Sequence, residues 1–211
     1  MKNNVLITFF ILLTSFAVVG QIEEPSSENK DSIKVKRISI GFKLGIPNLA
    51  SGSGEIVLPI LNNHFAPYID YSNIPLDFES VETSIAYTEY GINYYFNKKG
   101  NGFFVGVGKG SLSTDITFTD LRFSNAISTL IGSATTDFNL DTTNFKIGIK
   151  TGGTIFFRLE LGYGVGSIPS ALNFTDTFEG ITQSFSEAIP PIPGLGSEGV
   201  LIGNVGFGFS F

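Results

Sequence analysis

The sequence predicts an all-β fold, an eight-stranded antiparallel up-and-down transmembrane β-barrel. Three observations support this prediction. An apolar segment near the amino terminus is typical of exported proteins, eight later segments alternate apolar and polar residues, and the connections alternate between short and long. The composition agrees, because only 15% of the 211 residues are charged while Gly (25) and Phe (21) are abundant.

Residues 1–20 are predicted to be a cleaved signal peptide. Lys2 supplies the positive start, Val5–Val19 is the apolar run, and Gly20 suits the position before the cleavage site. The alternative is a membrane anchor, but a helix that spans a bilayer needs about 20 apolar residues, and this run is shorter. The mature protein is therefore expected to cross the inner membrane and to continue into the envelope.

A polar segment, residues 21–32, follows the signal peptide. It has no hydrophobic period, which predicts a flexible periplasmic tether. The barrel is expected over residues 33–211. No later segment is apolar for long enough to form a helical span, and a closed barrel is the other structure that pairs every backbone group inside lipid.

Eight segments carry the two-residue period of strands whose opposite faces meet different surroundings. In the first of them the even positions are Ile, Phe or Leu, whereas the odd positions are Ser, Gly or Lys. In the fifth the parity changes near Gly108–Gly110, which predicts a bulge. The predicted strands are Ile38–Ile46, Gly54–Leu61, Phe65–Ser72, Glu89–Phe96, Gly102–Thr117, Asn144–Lys150, Ile155–Val165 and Leu201–Phe211.

The connections between these strands alternate in length. Short turns at one rim and long loops at the other are typical of outer-membrane barrels. With the amino terminus on the periplasmic side, eight strands return the carboxyl terminus to that side. The predicted short turns are Asn62–His64, Asn97–Asn101 and Thr151–Gly153, and the predicted long loops are Pro47–Ser53, Ile74–Glu82, Phe118–Leu140 and Gly166–Glu198.

Charged residues on the best-defined strands fall on the face opposite the apolar one. Because Arg or Lys facing lipid at the bilayer midplane costs about 2–4 kcal/mol, the apolar face is predicted to meet lipid. A soluble sandwich would also alternate, but its polar face is usually rich in Lys and Glu, whereas Gly, Ser and Asn dominate here. The predicted lumen charges are Lys43, Asp70, Glu89, Lys146, Lys150, Arg158 and Glu160.

These inward charges have two interpretations. They form either a salt-bridged plug or the selectivity lining of a small pore. Buried charges must be paired, and eight strands leave a lumen just wide enough for side chains, which favours the plug. The expected function is therefore a structural or surface-interaction role, and the alternative is a narrow channel or small-solute transporter.

The alternating strands, the segment Gly41–Gly45 and the final segment Gly206–Phe211 resemble the small outer-membrane β-barrel families of Gram-negative cells. These are the OmpA-like, OmpW-like and PorT-like barrels of Bacteroidota. The resemblance covers residues 33–211 and lies in the pattern of residues. It implies a porin-like architecture in the cell outer membrane, in contact with outer-membrane lipid, with OmpW-like barrels as the precedent for the channel. It also implies an assembly signal, read by the barrel-assembly machinery, at Phe207, Phe209 and Phe211.

No enzymatic activity and no cofactor are expected. The segment Gly106–Ser111 (GVGKGS) departs from the phosphate-loop pattern, because Phe103 stands where the first Gly should be. The segment Gly162–Ser167 misses the dinucleotide pattern, because Ser167 takes the place of its third Gly. Glycines that give room inside a narrow barrel explain both segments.

Metal sites and nucleic acid are also not expected. The single histidine, His64, lies in a predicted periplasmic turn without a nearby nucleophile, which indicates a solvated turn residue. No cluster of His, Asp and Glu has metal-ligand spacing, and there is no Cys for a disulfide or a thiolate ligand. The net charge of −6 argues against nucleic acid as a partner.

The two longest predicted loops are the expected contact sites for an extracellular or envelope protein partner. Loop 118–140 contains the apolar stretch Asn125–Ala134, and loop 166–198 contains the Pro-rich run Ala188–Gly196. Exposed apolar loops often mark interaction surfaces. The same loops would equally suit folding over the barrel mouth, and the sequence leaves both arrangements open.

Overall fold

A computed structural model describes residues 35–124, 129–178, 181–189, 195–196 and 198–211, so the predicted signal peptide and tether lie outside the described residues. The described residues form strands and one short 3₁₀ helix, Leu61–Asn63. None of the helices in this part of the chain is long and apolar enough to span a bilayer. The strands are β1 (Ile38–Ile46), β2 (Leu49–Ile56), β3 (Phe65–Phe78), β4 (Val81–Tyr95), β5 (Gly102–Ser124), β6 (Thr129–Lys150), β7 (Ile155–Val165), β8 (Ala171–Phe178), β9 (Ile181–Ala188), β10 (Leu195–Gly196) and β11 (Gly199–Ser210).

Eight of these strands close into an antiparallel barrel. Strands β1 to β7 pair each with the next, and β11 pairs with both β7 and β1. At the closing seam, Ser39 lies opposite Ser210 and their hydroxyl oxygens are 3.0 Å apart. The prediction of an eight-stranded antiparallel up-and-down barrel is confirmed. We call the end that carries Val35 and Phe211 the lower rim, and the other end the upper rim.

Strand β2 differs from its prediction. The sequence predicted a loop at Pro47–Ser53 and a strand at Gly54–Leu61, whereas β2 runs from Leu49 to Ile56. Its residues up to Gly54 are mainly Gly and Ser, which are weak strand formers and therefore looked like a loop. Pairing with the whole of β1 supplies the backbone hydrogen bonds of this segment, so only Pro47 and Asn48 remain as the turn.

The other predicted long loops are also wrong, because most of their length is β-hairpin. Ile74–Glu82 is largely the tip of the β3–β4 hairpin, and Phe118–Leu140 is largely the tip of the β5–β6 hairpin. Gly166–Glu198 contains β8, β9 and β10. Residues 125–128 and 190–194, which belong to the two stretches predicted as partner contacts, lie outside the described residues.

A belt of exposed apolar side chains surrounds the lower part of the barrel. On β1 the outward residues are the even-numbered ones from Ile38 to Ile46, and β7 and β11 continue the belt with Ile, Leu, Val, Phe and Tyr. Val205 and Phe157 are 61% and 62% exposed. The inward residues of the same strands are buried or half-buried, so the two faces meet different surroundings.

The predicted bulge near Gly108–Gly110 is wrong, and the change of parity has another cause. The pairing of β5 with β4 keeps one register from Val81 to Tyr95, and the register with β6 shifts only between Phe118 and Leu121. Up to Gly108 the outward residues are apolar, as at Val107. Beyond Gly110 the apolar residues of the strand point inward, as at Leu112, while the strand and its register with β4 continue unbroken.

Above the upper rim, six strand segments form a sheet that we call the upper wall. It comprises residues 73–88 of β3 and β4, residues 109–124 and 129–143 of β5 and β6, and the strands β8 and β9. The segments follow the order β3-β4-β5-β6-β8-β9. The wall rises beyond β1, β2, β7 and β11, so the described part of the barrel is much taller on one side.

Candidate functional site: the charged lumen

The structure places all seven predicted lumen charges inside the barrel, where their exposed fractions are between 0% and 4%. It adds an eighth, Glu55 on β2, which is 3% exposed. The sequence contained a signal for it, because Glu55 precedes the apolar Ile56 and therefore belongs to the opposite face. These residues, which we call the lumen network, comprise the cations Lys43, Lys146, Lys150 and Arg158 and the carboxylates Glu55, Asp70, Glu89 and Glu160.

The upper half of the lumen network is built around two lysines. The Nζ atom of Lys43 donates hydrogen bonds to Asp70 Oδ2 (2.8 Å) and Glu160 Oε1 (2.9 Å). The Nζ atom of Lys146 lies 2.9 Å from Glu89 Oε1 and 3.6 Å from Glu160 Oε2. Because Glu160 contacts both lysines, strands β1, β3, β4, β6 and β7 are tied together across the lumen.

Two tyrosines complete the surroundings of Glu89. The hydroxyl of Tyr68 donates to Glu89 Oε1 (2.5 Å) and the hydroxyl of Tyr87 donates to Oε2 (2.7 Å). The Nζ atom of Lys146 has no well-aligned hydrogen bond, but it lies 4.1 Å from the centre of the Tyr68 ring. Lys146 is therefore held by ion pairing and by a cation–π contact.

The lower half of the lumen network is centred on Glu55. Its carboxylate accepts hydrogen bonds from Lys150 Nζ (2.7 Å), Arg158 Nη2 (2.5 Å), Tyr95 Oη (2.9 Å) and Asn93 Nδ2 (2.8 Å). The other end of the Arg158 guanidinium reaches Glu160 Oε1 at 3.5 Å and so joins the two halves. Four donors around one carboxylate compensate its loss of water.

The lumen network is electrically balanced, since its four cations match its four carboxylates. An unpaired ion at such a depth costs several kcal/mol, so the balance is what allows eight charges to lie in the interior of so narrow a barrel. Every member contacts at least one ion of opposite charge within 4.0 Å. The eight charged side chains are thus cross-linked to one another across the lumen.

The glycines of the GVGKGS segment make room for the lumen network and its neighbours. A Cβ atom at Gly108 would lie 2.5 Å from Tyr68 Oη and 3.2 Å from Glu89 Oε1, and at Gly110 it would lie 2.7 Å from Asn144 Nδ2. Both positions lie on the inward face in the middle of strand β5. The space that a side chain would need at each position is occupied by the tyrosine and amide groups that surround the lumen network.

Apolar layers lie on both sides of the lumen network. Toward the lower rim, Val57, Ala66 and Phe104 pack with Tyr95 and are at most 1% exposed. Toward the upper rim, Ile202 and Leu140 are 0% and 2% exposed. Buried apolar residues therefore flank the lumen network toward both rims.

His64 is packed at the lower rim instead of being a free turn residue. Its Nδ1 atom lies 2.6 Å from the carbonyl oxygen of Tyr95, and its ring stacks on Tyr94 with centroids 5.2 Å apart. Within the described ranges, no group of three or more His, Cys, Asp or Glu residues is arranged to hold a metal ion. The residues predicted as the assembly signal, Phe207, Phe209 and Phe211, lie on the outward face, half or more exposed.

Two solved structures are similar in overall shape. A major outer membrane protein from Thermus thermophilus has a TM-score of 0.45 at 9% sequence identity, over 83% of this chain and 98% of that chain. CarO from Acinetobacter baumannii has a TM-score of 0.42 at 10% identity, over the same shares of the two chains. No protein-family model matches the sequence, and no curated protein does. At these identities no residue assignment passes from either structure to this chain.

Proposed function

We propose that the protein is an outer-membrane β-barrel with a closed lumen, which acts through its upper wall in a structural or surface-interaction role. The proposal rests on the difference in polarity between the outward and inward faces of the barrel. Apolar side chains point outward around the belt, whereas the charges point inward and are fully paired. Hydrocarbon outside and a plugged interior account for both.

The belt supports a membrane location. Soluble monomers rarely expose contiguous apolar patches larger than roughly a few hundred Å². Here residues such as Ile40 (60% exposed), Leu161 (55%) and Phe209 (52%) lie on neighbouring strands β1, β7 and β11. In water this surface would drive aggregation, whereas in a bilayer it would contact the hydrocarbon of the lipid.

The lower rim is proposed to face the periplasm. The segments beyond the barrel at this rim are small compared with the upper wall, and the described chain both enters and leaves there. Phe207, Phe209 and Phe211 would then lie near the inner interface, where the barrel-assembly machinery is proposed to recognise them. Outer-membrane lipid is the proposed partner of the belt.

The upper wall is then proposed to extend outside the cell, where its hairpins would meet an extracellular or envelope protein. The described parts of regions 118–140 and 166–198 make up much of the wall. The connections at the opposite side of the barrel mouth are smaller, as at the turn of Pro47 and Asn48. No catalytic role is assigned to the lumen network, because its polar groups are directed at one another.

Conductance measurements test the closed lumen. Mature protein refolded into planar bilayers is expected to give no steady conductance at either polarity, while a porin inserted in parallel confirms that the bilayers report open channels. Steady ion-selective currents from the protein alone would overturn the plug. They would favour the alternative, a narrow channel or small-solute transporter whose lining would be the lumen network.

Gel mobility tests the membrane barrel itself. Folded barrels commonly resist detergent, so the outer-membrane fraction is expected to give different mobilities before and after boiling. Recovery of the mature chain as a soluble monomer without detergent would contradict the proposal.

A further inference from the structure

We propose that the open edge of β9 binds an extended segment of a basic partner protein, which adds to the upper wall as a further strand. This inference rests on the surface-interaction role proposed above and names its site. Adding a strand to a sheet edge uses main-chain hydrogen bonds for affinity and alternate side chains for specificity.

The backbone of β9 is paired on one side only. It pairs with β8 from Ile181 to Ala188, and the described residues include no strand on its other side. The amide of Ile189 donates to the carbonyl of Ser170 (3.1 Å), so residues at odd positions turn their backbone groups toward β8. The even-numbered residues Thr182, Ser184 and Ser186 therefore turn their N–H and C=O groups toward the side that has no strand partner in the described part of the chain.

The opposite edge of the upper wall is protected, whereas β9 is not. Beyond Ser72, strand β3 has no described partner on its free side, but it carries Pro75 and Asp77 there. Proline and charge are common devices against unwanted strand pairing. Strand β9 has no Pro, and its single charge is Glu187. The wall thus keeps one edge open to pairing.

An aromatic row leads to this edge across the inward face of the wall. The rings of Phe118 and Phe174 are 6.3 Å apart, and Phe174 stacks on Phe185 with centroids 5.2 Å apart. Phe185 ends the row and is 47% exposed. An added strand with an apolar or aromatic residue beside Phe185 would extend the row by one step.

The charge of the upper wall selects the kind of partner. The acids of its segments include Asp77, Glu79, Glu82, Asp115, Asp137 and Glu187, whereas the cations are Lys109 and Arg122. A basic segment complements this surface and is attracted to it. A second copy of the same acidic wall would be repelled, so a heterologous partner fits better than self-pairing.

A peptide panel on the refolded protein tests the proposal. The protein is placed in nanodiscs of zwitterionic lipid, so that basic peptides have no anionic lipid to bind. The probe is a short fluorescent peptide in which Lys alternates with Val and Phe, and binding is read by anisotropy. Two controls have the same composition: a scrambled peptide without alternation, and a peptide N-methylated at alternate residues, which keeps the side chains and loses the pairing amides.

Three variants of the wall locate the binding. Ser184→Pro removes an edge N–H, and Ser184→Ala is its matched control because it keeps that N–H. Phe185→Ser removes the end of the aromatic row. The alternating peptide is expected to bind wild type and Ser184→Ala at least about tenfold more tightly than Ser184→Pro, because the proline removes a pairing N–H and its ring blocks the added strand beside it. N-methylation is expected to weaken binding to the wild type by a similar factor.

Equal binding of the normal and N-methylated peptides by the wild type would overturn the edge proposal, even if Ser184→Pro failed to fold. Concentration-dependent dimerisation abolished by Ser184→Pro, without peptide binding, would assign the edge to a second copy and overturn the basic partner. Conductance of the same preparation distinguishes a failure of the edge proposal from a failure of the proposed function. A closed lumen without peptide binding removes only the edge proposal, whereas an open channel removes the proposed function.

Discussion

Asp70 on β3 lies directly opposite Glu89 on β4, and both carboxylates are buried in the lumen. Like charges directly opposite each other destabilise a sheet. Here Lys146 reaches across from β6, with its Nζ atom 2.9 Å from Glu89 Oε1 and 4.0 Å from Asp70 Oδ2. The pair is therefore compensated by Lys43 on β1, which contacts Asp70, and by the bridging cation of Lys146 on β6.

Replacing that cation should destabilise the barrel strongly. Lys146→Met leaves Glu89 without an ion partner and leaves Asp70 with Lys43 alone, so the free energy of unfolding should fall by about 3–5 kcal/mol. Equilibrium urea unfolding in lipid vesicles measures it. Lys109→Met is the matched control, because Lys109 is exposed and its Nζ atom only donates to Thr143 Oγ1. Equal effects of the two substitutions would show that the lumen network does not hold the barrel together.

A methyl group at Gly108 should disturb the same region through packing. The Cβ atom of Gly108→Ala would lie 2.5 Å from Tyr68 Oη and 2.8 Å from the carbonyl oxygen of Tyr90, so we expect a loss of about 1–3 kcal/mol. Gly54→Ala is the control, since its nearest neighbour is Ile69 Cγ2 at 3.7 Å. Thermal unfolding of both variants in vesicles provides the comparison. A Gly108→Ala protein as stable as Gly54→Ala would contradict the described packing.

Substitution of a belt residue by a charged one tests whether the belt faces lipid or water. In a bilayer, Val205→Arg on β11 should reduce the free energy of unfolding by about 2–4 kcal/mol. Thr135→Arg, on the outward face of the upper wall, should change it by less than about 0.5 kcal/mol. Both are measured by urea unfolding from the same vesicles. If Val205→Arg were neutral or stabilising, the belt would face water.

The apolar layer at the barrel mouth gives a further prediction. Leu140 is 2% exposed and points inward, so Leu140→Ala should leave a cavity and cost about 2–5 kcal/mol. Leu201→Ala removes the same atoms from an outward position that is 53% exposed, where lipid can fill the space. A larger loss is therefore expected at Leu140, and the opposite ranking in vesicle unfolding would contradict the assignment of the two faces.

The sequence predicted best those strands that lie wholly within the belt. Strands β1 and β7 have their predicted bounds, because one face is continuously apolar and the other is polar along the whole strand. Prediction failed where the surroundings changed along one strand. In β5 the apolar side moves from outward at Val107 to inward at Leu112, and an unbroken strand therefore looked like a bulge followed by a loop.

For the lumen charges, the sequence likewise predicted one property and not another. Alternation assigned Lys43, Asp70, Glu89, Lys146, Lys150, Arg158 and Glu160 to the inward face, but it could not say which ions would meet. The contact between Lys43 and Glu160 joins strands β1 and β7, which are far apart in the chain, and depends on closure through β11. Glu55 was missed although it lies in the predicted strand Gly54–Leu61, because the alternation of that segment is less regular than that of the best-defined strands.

By itself the sequence determined that two faces of each strand meet different surroundings, since a two-residue period places alternate side chains on opposite sides. The tertiary structure decided the register, the pairing of the eight lumen charges and the height of the upper wall. These depend on which strands become neighbours when the barrel closes, and contacts between residues distant in the chain leave no periodic signal in the sequence.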